Sequence, residues 1–380
     1  MAYEIKRFPY DGTIDADGHV LEPPDLWENY LPEKYQARAL RIGIDDEGFE
    51  YLEVDGRPSH RSRKGSLGLL GAMGEEDQRP SPERRYADSM PFGACDLQER
   101  LALLDQENLE QSLLYPTLGL LWEWELTDPD LSLAYCVAYN RWIADFCRDS
   151  SGRLVPIAHL TLLDPEGSAA ELERAVKDGC KGAWVNPFHH HRIPHGADVN
   201  DVLYAKCQEL DVPIAVHPTF TPHDKPAEGI FDLPQQGVLY ASMMWLRAIV
   251  QQAFISYISM GTLDRFPRLR LGILEAGSGW VGAMLDRLDA VDDALRRGRV
   301  KLSATEYFQR QCFVSGDPDE TIAPYTIDKV GAHCFMWATD YPHPDHPHTW
   351  VDDLTRYAEA LSPETRAMVL GDNVRRIYRL

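Results

Sequence analysis

The stretch TIDADGHVLEPPDLW sets Asp15, Asp17 and His19 at every second position, with Glu22 three residues further on and two prolines behind it. Carboxylates and an imidazole that end an apolar run suit one of two roles. They either solvate the end of a strand or converge with other donors on a metal ion. Side chains at i and i+2 of a strand point to the same side, so Asp17 and His19 aim together. Three more donors stand in comparable places: His217 closes VPIAVH, Glu275 closes LRLGILE and Asp340 closes CFMWATD. Singly, each has an ordinary explanation. His217 precedes a proline and suits a structural histidine, Glu275 suits a helix cap or a buried ion-pair partner, and Asp340 suits a turn. Jointly, five donors at the ends of four strand-like runs point to a metal site. Glu22 is placed either to reach back to that site or to sit in solvent. His223 in TFTPHD and His343 in DYPHPD follow strand ends on loops, where ligation, proton relay and capping are all open. FHHHR (His189, His190, His191) reads as a loop with at most one ring facing the site.

These donors need elements to position them, and the chain supplies an alternation of strand and helix. QSLLYPT, RLVPIAHLTL, KGAWVNPF, VPIAVHPT, LRLGILEAG and CFMWATD read as strands. Amphipathic runs such as DLSLAYCVAYNRWIADFCRDS and GSAAELERAVKDG separate them with helical spacing. Strands and helices alternating at this spacing imply a parallel sheet. The expected fold is α/β, a (β/α)8 TIM barrel forming a single domain over 1–380. Its active-site face is built from the C-terminal ends of the strands, where all the candidate ligands fall. An open doubly wound sheet is the alternative, but no glycine-rich dinucleotide loop follows the first strand. Between about Arg38 and Cys95 the composition turns rich in Gly, Pro, Ser and charge, and YLEVDGRPSH reads as a small hairpin. This insertion after the first strand is read as a lid-like segment, with a plain surface loop as the alternative.

Hydrophobic residues at 44% and aromatics at 10% of 380 residues support a large core and argue against disorder. A net charge of −22 disfavours nucleic acid and anionic membrane as partners, leaving a small-molecule substrate, and a homo-oligomer stays open. The N-terminal segment lacks the apolar stretch of a signal peptide, and no run has the length of a membrane span. Seven cysteines without a CxxC pair fit reduced thiols, so a cytoplasmic location is expected. Trp122, Trp124, Trp245 and Trp280 are placed either to line an apolar pocket or, more simply, to pack the core.

In DADGHVLEP, GCKGAWVNP, VPIAVHPT, GTLDRFPRLRLGILEAGSGW, ATDYPHPD and LGDNVRRIYRL the chain resembles the amidohydrolase superfamily, in its aminocarboxymuconate-semialdehyde-decarboxylase-like branch. The resemblance runs from residue 14 to the C-terminus and puts Asp17 and His19 in the place of the family's first-strand His-x-His pair. It matches His217 to the metal-binding histidine and Asp340 to the acid of the last strand. Two departures stand out: Glu275 occurs where the branch usually has a histidine, and no lysine ends KGAWVNPF to bridge two zinc ions.

Asp17, Glu22, Glu275 and Asp340 with His19 and His217 make a carboxylate-rich set that suits hard cations. DAD-x-H, the glutamate after the sixth strand and TDYPH also resemble the family's non-haem di-iron monooxygenases of the platensimycin-type diterpenoid pathway. The expectation drawn from this is two divalent ions, Fe(II) ahead of Mn or Zn, with Asp17, His19, Glu22, His217, His223, Glu275 and Asp340 as ligands. With O2 as co-substrate they would hydroxylate a C–H bond of a bulky, partly apolar acid or ketone, with Glu275, Asp340 and His343 as the catalytic groups. The alternative is a metal-dependent hydrolase or non-oxidative decarboxylase. There one ion would sit on Asp17, His19, His217 and Asp340, Asp340 would accept a proton, and Glu275 or His343 would complete acid–base transfer.

Overall fold

The fold was analysed in a computed structural model, which describes residues 3–59, 64–219, 242–295 and 300–380. Eleven strands are present among these residues. They are β1 (Thr13–Val20), β2 (Arg41–Ile44), β3 (Glu50–Val54), β4 (Arg57–Pro58), β5 (Leu109–Pro116), β6 (Leu154–His159), β7 (Gly182–Val185), β8 (Ile214–Val216), β9 (Leu271–Ile273), β10 (Cys312–Gly316) and β11 (Phe335–Trp337). Eight of them pair in the order β1-β5-β6-β7-β8-β9-β10-β11, every pairing parallel. Helices lie between successive strands, as parallel connections require. The sheet closes where Asp340 N–H donates to Asp17 O at 3.0 Å and His19 N–H to Tyr341 O at 2.8 Å. The expected eight-stranded barrel is therefore present.

Alternation along the strands divides the apolar residues into two layers. Ile14, Ala16, Leu113, Tyr115, Val155, Ile157, Trp184, Ala215, Leu274, Phe313 and Met336 pack together inside the barrel. Their neighbours Leu114, Val185, Val216, Ile273, Val314 and Trp337 face the surrounding helices. Tyr378 of the closing helix Asn373–Tyr378 plugs the end away from the site and meets the Tyr115 hydroxyl at 3.1 Å. The strand β10 was not read from the sequence. Its five residues, CFVSG, follow directly on the helix Ala304–Gln311 and carry too short an apolar run to separate from it.

Between β1 and the helix Leu97–Glu107 the chain forms a separate antiparallel sheet, β2-β3-β4. The hairpin read in YLEVDGRPSH is there: β3 turns into β4 through Asp55 and Gly56, with φ of 55° and 71°, the two positive values that a tight hairpin turn demands. This segment docks on the site end of the barrel. Met73 N–H donates to Pro342 O at 3.2 Å, Leu21 N–H to Ala94 O at 2.9 Å and the Tyr86 hydroxyl to Glu22 O at 2.9 Å. All seven cysteines are free thiols, six of them buried. No helix among the described residues is long and apolar enough to cross a membrane.

Candidate metal centre

A β-bulge in the first strand sets up the site. Asp15 pairs with Ser112 and Gly18 with Leu114, so β1 spends three steps where β5 spends two. One extra residue reverses which side chains face inward. Ile14 and Ala16 point into the barrel before the bulge, and Asp17 and His19 turn toward the site after it, while Val20 joins the outer layer. Gly18 is required at the bulge, because a Cβ there would stand 2.5 Å from Ser112 Oγ and 2.6 Å from Asp15 Oδ2. Asp15 pins the strand from beneath. Its carboxylate accepts Thr339 N–H at 2.9 Å and the Thr339 hydroxyl at 2.7 Å, with the Ser112 hydroxyl at 3.2 Å.

His217 follows β8, and Glu275 and Asp340 lie just past β9 and β11. Both acids hold a positive φ, 46° at Glu275 and 56° at Asp340, where side chains other than glycine are uncommon. Such strain at a strand end is a feature of functional sites. Ligand atoms of His19, His217, Glu275 and Asp340 all lie within 4.8 Å of one another. Asp17 Oδ1 stands beside them, 3.8 Å from His19 Nε2 and 3.7 Å from His217 Nε2.

The two imidazoles are oriented for coordination. His19 Nδ1 meets Pro116 O at 2.8 Å and His217 Nδ1 meets Pro218 O at 2.6 Å. A carbonyl at Nδ1 holds the proton there and leaves the Nε2 lone pair facing the cluster. Both oxygens of Asp17, Nε2 of His19 and of His217, and Oδ1 of Asp340 are buried without a hydrogen-bond partner. Buried polar atoms rarely stay unsatisfied. Burial, together with the charges of Asp340 and Asp15, pushes the Asp17 carboxyl well above its ordinary value. Burial likewise holds His217 well below its own, helped by His19. A divalent cation would satisfy the lone pairs and offset the repulsion together, so the residues present fit one.

Two expected ligands, Glu22 and His223, and the expected catalytic His343 need correction or placement. Glu22 stands apart from the group. Its Oε2 accepts Thr117 N–H at 3.1 Å and Leu118 N–H at 2.8 Å, and its Oε1 accepts Gly119 N–H at 2.9 Å. A buried carboxylate saturated by three backbone donors anchors the turn after β5. Burial still pushes this carboxyl up to about 7 against those bonds. His223 lies outside the described residues. His343 is beside the metal group rather than in it: Nδ1 stands 3.0 Å from Asp340 Oδ2 and Nε2 bonds the Thr117 hydroxyl at 2.9 Å. None of His189, His190 and His191 joins the group; His190 Nε2, for instance, bonds Glu123 O at 2.8 Å.

Asp340 is the hub. Its Oδ1 lies 2.8 Å from His19 Nε2, and its Oδ2 faces His343 and, at 2.7 Å, His346 Nδ1. Burial alone would raise its carboxyl, but His346, His343 and His19 outweigh burial and hold it well below the usual range. His346, Asp345 and Asp317 were not singled out from the sequence. Their only signal there is HPDHPH after the last strand and GDPD after the unread strand β10. His159 at the end of β6 was also missed. It bonds Glu123 at 2.9 Å and stacks on Trp184 at 3.9 Å. Trp122 is fully buried against Tyr135, the core role. Trp124 packs edge-on to Phe188 and Trp280 donates to Gly277 O at 2.7 Å, and nothing is described for the Trp245 side chain.

Comparison with known proteins agrees with the barrel and redirects the chemistry. A family model described as Amidohydrolase matches residues 14–380. The gamma-resorcylate decarboxylase of Rhizobium radiobacter is 27% identical over 315 residues, 78% of this chain and 91% of that protein. The decarboxylase orsB of Emericella nidulans is 36% identical over 202 residues, 50% of this chain and 59% of that one. The crystal structure of 5-carboxyvanillate decarboxylase from Novosphingobium aromaticivorans, complexed with manganese and 4-hydroxy-3-methoxy-5-nitrobenzoic acid, superposes with a TM-score of 0.66. It is 18% identical and covers 100% of both chains. The expected di-iron monooxygenase is overturned: these relatives are decarboxylases, in line with the alternative reading. These relatives lend no support to iron or O2, and the metal in the solved relative is manganese.

Proposed function

The chain belongs to the amidohydrolase family, and from that membership we propose that it is a divalent-metal-dependent decarboxylase of a hydroxylated aromatic carboxylic acid. One observation carries the reading: both oxygens of Asp17, Oδ1 of Asp340 and the Nε2 atoms of His19 and His217 are buried side by side without hydrogen-bond partners. Asp17, His19, His217 and Asp340 would hold one ion, and this mixed oxygen and nitrogen set suits Mn(II) or Zn(II). The manganese in the carboxyvanillate relative favours the first. The names of the relatives, resorcylate and carboxyvanillate decarboxylases, support the substrate class. When bound, the ion supplies Lewis acidity to the substrate's carboxylate and a neighbouring hydroxyl oxygen.

The chain's own groups would move the proton. Decarboxylation adds one proton to the ring carbon that bears the carboxylate. The carbon–carbon bond breaks, its electron pair stays with the ring and CO2 leaves. Asp340 is the proposed donor, because its Oδ2 lies 3.0 Å from His343 Nδ1 and 2.7 Å from His346 Nδ1, either of which can pass it the proton it delivers. His343, 3.0 Å from Asp340 Oδ2 and tied to Thr117 on its other side, is placed to recharge it. Glu275, 3.3 Å from His217 Nε2, stands on the flank opposite. The inward apolar wall, with Tyr115 and Trp184 buried beneath the ligands, excludes water from the reacting carbon.

The test is a manganese-loaded assay with hydroxybenzoates carrying a hydroxyl beside the carboxyl, run in air and under argon in D2O. The expected result is CO2 release at the same rate in both, with one deuterium on the product ring. Hydrolysis of an ester or amide by the same preparation, with no CO2 from any acid offered, would overturn the proposal.

A further inference from the structure

The segments after β5, β6 and β7 meet at a polar group that the metal centre does not use. His159 ends β6, and its side chain leaves the strand on the inward side, as those of Val155 and Ile157 do. Asn140, from the helix Pro129–Cys147, holds its backbone from both ends. Asn140 Oδ1 accepts His159 N–H at 2.7 Å, and Asn140 Nδ2 donates to His159 O at 3.0 Å. Glu123 Oε2, in the turn after β5, stands 2.9 Å from His159 Nε2, and the Glu123 carbonyl meets His190 Nε2 at 2.8 Å. Trp184 stacks on the imidazole at 3.9 Å, with Trp122 at 5.2 Å and Tyr139 at 6.4 Å around it. Trp184 also meets the ring of His217 edge-on at 5.6 Å, so one indole links this group to a metal ligand.

The group holds hydrogen-bonding capacity that no part of the chain takes up. His159 Nδ1, Trp122 Nε1, Trp184 Nε1 and the Tyr139 hydroxyl are all buried without a hydrogen-bond partner. Such atoms are rare, and here four of them surround one imidazole. The ring is as deeply covered as His19 and His217, so burial sets it no further from a substrate than the metal ligands. The donor and acceptor types say what would suit it. The Glu123 carboxylate takes the Nε2 proton, which leaves Nδ1 of the neutral imidazole an acceptor, while both indoles can only donate. A hydroxyl serves both kinds of partner. An ether oxygen has no proton for Nδ1, and a C–H group serves neither.

We propose that His159, oriented by Glu123, determines specificity by accepting a hydrogen bond from a second hydroxyl on the ring of the substrate acid. The indole N–H groups of Trp184 and Trp122 are the donors at hand for that hydroxyl's oxygen. The proposal rests on the decarboxylase reading and deepens it, because it selects a free hydroxyl over its methyl ether at one position of the ring.

Manganese-loaded full-length protein, assayed for CO2 release from matched acids, tests it. Each acid carries a hydroxyl beside the carboxyl and, at one further ring position, a hydroxyl, a methoxy group or hydrogen. At one such position the wild type should favour the hydroxyl over both alternatives by about tenfold or more in kcat/KM. Ratios taken within one variant cancel any loss of folded or metal-loaded protein. His159→Phe keeps a ring and removes the acceptor, so its ratio should fall to about one. His159→Gln retains an acceptor and should recover part of the preference. Glu123→Gln, nearly isosteric, no longer fixes which nitrogen carries the proton and should lower the ratio severalfold. Wild-type ratios near one at every position, or a wild-type preference kept in His159→Phe or Glu123→Gln, would overturn this assignment and leave the decarboxylase reading standing. No CO2 from any of the acids would overturn the decarboxylase reading and this assignment with it.

Discussion

Asp340 touches three imidazoles, and the proposed function gives its one carboxylate two purposes. Oδ1 faces His19 and the ligand group, whereas Oδ2 faces His343 and His346. On the proposed function one oxygen coordinates while the other exchanges a proton. Asp340→Asn keeps the shape and removes the exchange. Its kcat should fall by about a hundredfold or more, with a smaller change in KM, measured as initial rates of CO2 release. A uniform loss in KM alone would place the residue in binding only. Asp17, His19, His217, Glu275 and Asp340 were legible in the sequence because each ends a strand-like run, and strand ends share one face of a barrel. Glu22 was misjudged at the same scale. Its distance from the pair in sequence is right for a ligand, but the turn at 117–119 turns three N–H groups toward it first.

At the scale of elements, the loops after the strands are set by buried polar anchors. The loop after β7 is one: His195 Nε2 bonds Asn186 O at 2.8 Å, and its own carbonyl accepts from Tyr204 and Asn200. Burial lowers this imidazole to about 4, so the folded loop holds it neutral. Below the ordinary value near 6.5 the unfolded chain takes up a proton that the folded chain refuses. Stability should therefore fall as pH drops from about 6.5 to about 4, by up to about 3 kcal/mol, and level off below. His195→Gln should flatten that slope in urea unfolding curves taken at pH 7 and pH 4.5. An unchanged slope would show that another group sets it. The bulge in β1 is the other decisive element. Alternation alone would send Ile14, Ala16 and Gly18 inward in one series; the extra step hands the inward face to Asp17 and His19.

For the whole molecule, a barrel whose mouth gathers acids from several strands is stabilised by whatever cation it holds. Manganese should raise the thermal midpoint with concentration, by the equivalent of about 2.7 kcal/mol at one hundred times its Kd. Asp17→Asn, with less ligand charge, should show a smaller rise in the same calorimetric scans, and equal rises would argue that the ion binds elsewhere. The sequence by itself determined the barrel and its active face, because alternating apolar runs and helices of this length close in few ways. It also determined the hairpin in the insertion, since Asp-Gly dictates the turn locally. It pointed toward oxidation because a count of carboxylates takes no account of where they go. Only the tertiary structure decided that Glu22 is spent on backbone donors. Only there does the unread β10 deliver Asp317 to His346, and only there does Glu123 meet His159. The physical reason is common to all three. Local pattern fixes which way a side chain leaves its own strand, whereas its partners come from segments distant along the chain.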